Sequence, residues 1–247
     1  MPDALPFQRS AIRPVLCLRE AWNRIRDAYG LFLGITLVAL LISGAVPFGI
    51  LMGPMMCGMA QCFLDKGRGK TVRFDLLFKG FDHFSESLIA SMIIFGLSLL
   101  VILPMTLLIM FGGLFAAFSA VSHRPSGVLI AILVGGLGLA LFLLLSMLIG
   151  ALSAFTFPLI TDRKLKGTDA LRLGSKAALA NLPGLLGLGV LTFLISCVGL
   201  CCCYVGVIFV APLTLGAQFM AYEQVFGAAG DEATTTPQGD DSAAGNP

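Results

Sequence analysis

Polar and apolar positions alternate in long blocks along this chain. Four apolar runs stand out, at residues 31–63, 88–120, 128–160 and 182–225. The first three contain no Asp, Glu, Lys, Arg or His, and the fourth carries only Glu223, near its end. About 20 apolar residues cross a bilayer as a helix, within a range of about 17–25. The first and last runs are therefore long enough for two crossings each, and the middle two for one each.

This predicts an all-α polytopic bundle of about six spans. The first run goes out and returns, with its turn near Pro47, and a re-entrant pair there is an alternative. The second goes out over 88 to about 112, and the third returns over 128 to about 157. The last goes out over 182 to about 200 and returns from about 204 to 225.

Each outward run follows a charged segment with helical periodicity. In "VRFDLLFKGFDHF", Phe74, Leu77, Phe78, Phe81 and Phe84 share a face, with Arg73, Asp75, Lys79 and His83 elsewhere. That pattern predicts an amphipathic interfacial helix. "VLCLREAWNRIRDAY" repeats it more roughly through Val15, Leu18, Trp22, Ile25 and Tyr29. Arg19 and Arg26 border that stripe, so their heads must snorkel. In "TDALRLGSKAALAN" the stripe is mostly Ala and Gly, which suits packing on protein, and Thr168 is the expected N-cap.

Each return run holds a proline, Pro54, Pro158 or Pro212. Two share the spacing small-Pro-x-x-x-Gly with a glutamine close by, Gln61 and Gln218. The expected architecture is three helical hairpins, each led by an interfacial helix. Small-residue pairs at Gly30/Gly34, Gly49/Gly53, Gly112/Ala116, Ala131/Gly135 and Gly136/Ala140 are read as close packing within the bundle, with dimerisation as the alternative.

Composition supports a membrane protein. Of 247 residues, 57% are hydrophobic and 12% charged, and the mean hydropathy is +0.93. A soluble domain carries about 25% charged residues. No basic face with interleaved aromatics occurs in a soluble domain, so nucleic-acid binding has no support.

The net charge of +2 matters less than its placement. Five of the sixteen Lys and Arg precede Leu31, five lie in 66–79, five in 163–176, and Arg124 stands alone. Cytoplasmic loops hold the excess of Lys and Arg. The three clusters are thus expected on the cytoplasmic side, with both termini, and Arg124 outside. Residues 1–30 have no apolar core and do not read as a signal peptide. They form a cytoplasmic segment, 31–226 the transmembrane domain, and 227–247 a polar, acidic tail expected to be disordered.

"PMMCGMAQCFLDKGRG" followed by "FDLLFKGFDHF", then "FTFPLITDRKLKGTDALRLGSKAALAN" and "VGVIFVAPLTLGAQFMAY", carries a family resemblance. In that order these stretches resemble a broad group of bacterial multi-span membrane proteins of unknown function. The group includes the membrane domain ahead of the catalytic domain in some glycerophosphodiester phosphodiesterases. The resemblance covers about residues 15–225. It implies a six-helix domain of the bacterial inner membrane with cytoplasmic termini. It carries over no catalytic residue. The tail after the last run is too short for the phosphodiesterase domain, so that activity is not expected.

Ionisable residues inside membranes mark proton relays and ion pathways. The runs contain none before Glu223. No cofactor is expected, and no enzyme: His83 and His123 are the only histidines and fall on opposite predicted sides. Asp162 beside Arg163 and Lys164 reads as a local ion pair or helix cap.

The expected function is a non-enzymatic scaffold or accessory protein acting through lipid or protein contacts. Arg163, Lys164, Lys166, Arg172 and Lys176 are the candidate headgroup or partner contacts. Membrane lipids are the expected partners, with a homo-oligomer or a second membrane protein as further candidates. The alternative is a small-solute or lipid transporter without a carboxylate relay. It requires a mid-membrane polar cavity, for which Gln61, Ser153, Thr156, Thr214 and Gln218 are the candidates. Cys197, Cys201, Cys202 and Cys203 crowd the predicted outer turn of the last hairpin. They lack a CxxC pair, and packing is preferred over a metal site or a disulfide.

Overall fold

The computed structural model describes residues 7–9, 12–45, 49–122, 125–201 and 205–227. Expectations for Pro47, His123, Arg124, Cys202, Cys203 and the tail from 228 lie outside these residues. Every regular element among the described residues is helical. The helices are α1 (Pro14–Ile25), α2 (Tyr29–Ala45), α3 (Met52–Gly67), α4 (Phe84–Val121), α5 (Pro125–Ser153), α6 (Thr156–Arg163), α7 (Gly167–Ala180), α8 (Leu182–Cys201) and α9 (Val205–Tyr222). A 3₁₀ segment, Phe74–His83, leads into α4, and one π turn, Glu223–Gly227, follows α9.

Five helical stretches are long and apolar enough to cross a membrane: Pro14–Ala45, Phe74–Ser119, Ser126–Arg163, Leu182–Cys201 and Gly206–Gly227. Helix α3 has 16 residues, fewer than these five, and is largely buried from Gly53 to Leu64. Helix α4 does not end near residue 112 but runs on to Val121. Its 38 residues extend about 57 Å at about 1.5 Å per residue. Its side chains and those of α5 are exposed along most of their length, as helices surrounded by lipid require.

The prolines differ in position. Pro54 and Pro158 are the third residues of α3 and α6, where the missing N–H has no helical acceptor to lose. Among the described residues, only Pro104 and Pro212 lie further inside helices, in α4 and α9. The third apolar run breaks after Ser153, and α6 restarts at Thr156.

The charged segments pack alike: the 3₁₀ segment lies on α3, α7 on α6, and α1 on α9. Each also touches a second helix, α2, α4 and α8 respectively. The N-terminal α1 therefore occupies, against the last helix, the place the other two occupy against their immediate predecessors.

The segment at 74–83 is a 3₁₀ helix, in which side chains three apart are eclipsed. Leu77 and Gly80 are buried against α3, while Phe78, Phe81 and Phe84 form a second, exposed row. A Cβ on Gly80 would collide with the Pro54 carbonyl, and one on Gly58 with the Leu77 carbonyl. In α1, Val15 and Trp22 are exposed as the stripe predicts, but Ile25 is buried beside Cys17 and Ala21. Ala21 meets α9 at Gly216. In α7 the small-residue face is buried, as expected, through Ala170, Leu173, Gly174, Ala177 and Ala178. Thr168 is not its cap. The helix starts at Gly167, whose N–H donates to Glu86 Oε2 of α4 at 2.7 Å.

Of the small-residue pairs, Gly112/Ala116 and Ala131/Gly135 line one gap of about 310 Å³ between α4 and α5, without close backbone contact. A Cβ at Gly30, Gly112, Gly135 or Gly136 would meet nothing within 4 Å. Gly53 is the exception, pressed against the Ser87 carbonyl. Close approaches occur instead at Gly58/Gly80 and at Gly199/Gly206, where α8 and α9 touch beside the cysteine-rich turn.

Candidate functional site

The ends of α3, α6 and α9 converge on one polar layer. An aromatic floor supports it. Phe63 stacks on Phe219 with centroids 4.9 Å apart, and Tyr222 on Phe226 at 5.1 Å. Phe155 meets Phe226 edge-on at 5.7 Å. Such pairs prefer offset or edge-on geometry and hold the helix ends in fixed register.

Asp162, at the end of α6, is the hub. Its Oδ2 accepts from the Tyr222 hydroxyl at 2.9 Å and lies 3.4 Å from Arg163 Nε. Its Oδ1 pairs with Arg68, beyond the end of α3. The local pair with Arg163 is present, as the sequence suggests, but the other two partners come from distant helices. The Asp162 hydrogen bond is the main cause that raises the Arg68 pKa above its already high value, so this cation stays charged at every working pH. On the other flank Arg24 of α1 pairs with Glu223 at 2.6 Å. Gln224 accepts from the Arg13 N–H and the Cys17 thiol, at 3.2 and 3.3 Å. These bonds tie the start of the chain to the end of α9.

Two clefts open on this layer, and the Arg68–Asp162 pair stands between them. One, of about 740 Å³, is lined by Gly67, Arg163, Tyr222 and Glu223 as well as that pair. The other, of about 680 Å³, lies between α3, the 3₁₀ segment and α6. Its wall includes Gln61, Asp65, Lys70, Thr71, Lys79 and Lys164. Lys164 ends α6 in the left-handed region, at φ 51°, the one non-glycine residue with positive φ among the described residues. Such a conformation costs an L-residue about 1–2 kcal/mol. Strained backbone of this kind clusters at functional sites.

The five candidate headgroup contacts do not form one patch. Arg163 and Lys164 line the two clefts. Lys166, Arg172 and Lys176 are exposed, the first just before α7 and the others on it. Arg68 and Lys79 were missed as cleft residues. Their place follows from α3 packing on both the 3₁₀ segment and α6, which no local pattern announces.

The five mid-membrane candidates also separate. Gln61 faces the charged cleft. Thr156 is buried with its hydroxyl unpartnered. Thr214 donates to the Ala211 carbonyl of its own helix at 3.0 Å. Only Ser153 and Gln218 share a cavity, of about 410 Å³, with Ser91, Ser98 and methionines 52, 56 and 59. Its serines donate to their own helix carbonyls. Gln218 has no hydrogen-bond partner among the described residues.

Cys197 and Cys201 are free thiols, and no group of three or more His, Cys, Asp or Glu suited to a metal ion occurs among the described residues. Comparison with protein families, curated proteins and solved structures finds no match to this chain.

Proposed function

We propose that this chain is a non-enzymatic integral membrane protein that works through contacts of its basic face with anionic lipid headgroups. In this reading it crosses the bacterial inner membrane about six times as three hairpins. Both termini and the three basic clusters lie in the cytoplasm, and α3 serves as a short, protein-enclosed return. The family resemblance of residues 15–225 belongs to the same reading.

The observation that carries it is the charged layer. Basic residues of two clusters, 66–79 and 163–176, line clefts at the ends of α3, α6 and α9, while the apolar runs 88–120 and 128–160 carry no charge. Near a membrane surface each Lys or Arg adds about 1 kcal/mol of attraction to anionic lipid. The pairing of Asp162 with Arg68, Arg163 and Tyr222 suits a structural tie.

The test is lipid retention. Protein purified from mixed membranes and examined by native mass spectrometry should retain anionic lipids above their bulk share. Retention in proportion to bulk would overturn the reading.

One observation favours a transporter instead. Gln218 lines a partly open cavity with Ser153 and has no partner among the described residues. The separation of Gln61, Thr156 and Thr214 from that cavity weighs against it. Solute flux in proteoliposomes that Gln218→Leu abolishes would favour transport.

A further inference from the structure

We propose that the cleft between α3, the 3₁₀ segment and α6 is a binding site for a phosphoryl group. Lys79 and Lys164 would be its ligand-facing cations, and Gln61 and Thr71 its neutral donors. This rests on reading the basic face as the one that meets anionic ligands, and narrows it to one place.

The cleft has a charge excess. Its wall carries Arg68, Lys70, Lys79 and Lys164 against Asp65 and Asp162. Both carboxylates are already engaged. Lys70 Nζ donates to Asp65 at 3.1 Å, and Asp162 takes Arg68, Arg163 and Tyr222. Lys79 and Lys164 make no ion pair with any described residue. Gln61 and Thr71 likewise have no hydrogen bond within the described chain. Two unneutralised cations and two neutral donors therefore share one concave wall.

A concave wall with a net charge of one sign focuses its field on an incoming ion of opposite sign. A phosphomonoester carries nearly two negative charges at neutral pH. It matches two cations, where a carboxylate would leave one unmatched. The volume of about 680 Å³ falls within the usual range for small-ligand sites, about 300–1,000 Å³. Leu64 and Leu76 add an apolar floor on which a glycerol or acyl stem can lie. The left-handed backbone at Lys164 is the kind of local strain that ligand clamps retain.

The phosphoryl group can come from a lipid or from solution. The experiment uses the full chain in phosphatidylcholine nanodiscs. The two probes are phosphatidic acid, added as a minor lipid, and inorganic phosphate as a soluble competitor. Binding is read by native mass spectrometry.

Each lost charge should cost about fivefold in affinity, so Lys79→Gln with Lys164→Gln should weaken phosphatidic acid binding about 25-fold. Lys79→Arg with Lys164→Arg should keep it within about threefold, which separates charge from folding. Arg9→Gln with Arg19→Gln, exposed cations outside both the cleft and the candidate headgroup contacts, should change it less than twofold. Competition by phosphate identifies the bare phosphoryl group as the ligand. Binding that phosphate does not displace identifies the lipid headgroup.

Equal losses in the cleft and control variants would mean a diffuse basic surface. That would overturn the site while leaving the lipid-contact reading standing. Absence of any phosphatidic acid or phosphate binding by the unaltered chain would overturn both.

Discussion

Glycines at single positions divide into those that hold the bundle together and those that do not. Gly80 touches the α3 backbone at the Pro54 carbonyl, and no flexible side chain there can yield to a methyl group. Gly112 faces open space on α4. Gly80→Ala should therefore destabilise the protein by about 3 kcal/mol, the upper part of the range for overpacking. Gly112→Ala should be neutral or stabilising by up to about 1 kcal/mol, the helix-propensity gain. Thermal unfolding in detergent will read both, and equal losses would show that the two glycines pack alike. The sequence displays Gly112 in a small-xxx-small pair and Gly80 in none. Motif spacing thus marks the wrong glycine. Close approach depends on what faces a residue, and spacing along one helix does not contain that.

Among elements, the ties between helix ends carry more than the elements show separately. Asp162 joins α6 to Arg68 beyond α3 and to Tyr222 at the end of α9. Removing its charge leaves the hydroxyl of the buried Tyr222 without its strong acceptor. Asp162→Asn should cost about 2 kcal/mol, in the range for hydrogen bonds to charged groups. Denaturant unfolding in mixed micelles will measure it, and a loss near zero would mean that solvent replaces the carboxylate at no cost. Helix α7 is instructive for another reason. Its small-residue face was legible as a packing face, but its start was not. Glu86, 81 positions away, takes the role assigned to Thr168. A cap from another helix leaves no trace in the local pattern that predicts caps.

For the whole molecule, the proposed topology can be tested from outside the cell. In a background without native cysteines, Ser126→Cys should react with an impermeant maleimide in intact cells, and Gly69→Cys should react only after lysis. The reverse pattern would invert the orientation drawn from the basic clusters. The α4–α5 pair sets a further constraint. A helix of about 57 Å exceeds the roughly 30 Å hydrocarbon core, so it must tilt strongly, bend at Pro104 or extend past the acyl region.

The apolar runs by themselves determined that this is a helical protein with several helices able to cross a membrane. Run length and absence of charge are local quantities, and the bilayer reads them locally. The charged lead segments were legible as well, because amphipathic periodicity needs only neighbouring residues. Tertiary structure alone decided what those segments pack on. The first of them, α1, lies against the last helix, α9, through Arg24–Glu223 and the bonds of Gln224. It also decided that Gln61 faces the charged cleft while Gln218 faces the apolar cavity, although the two share a motif. The physical reason is the same in each case. Which groups meet across helices is set by the relative placement of whole helices, and that placement depends on every contact along them at once.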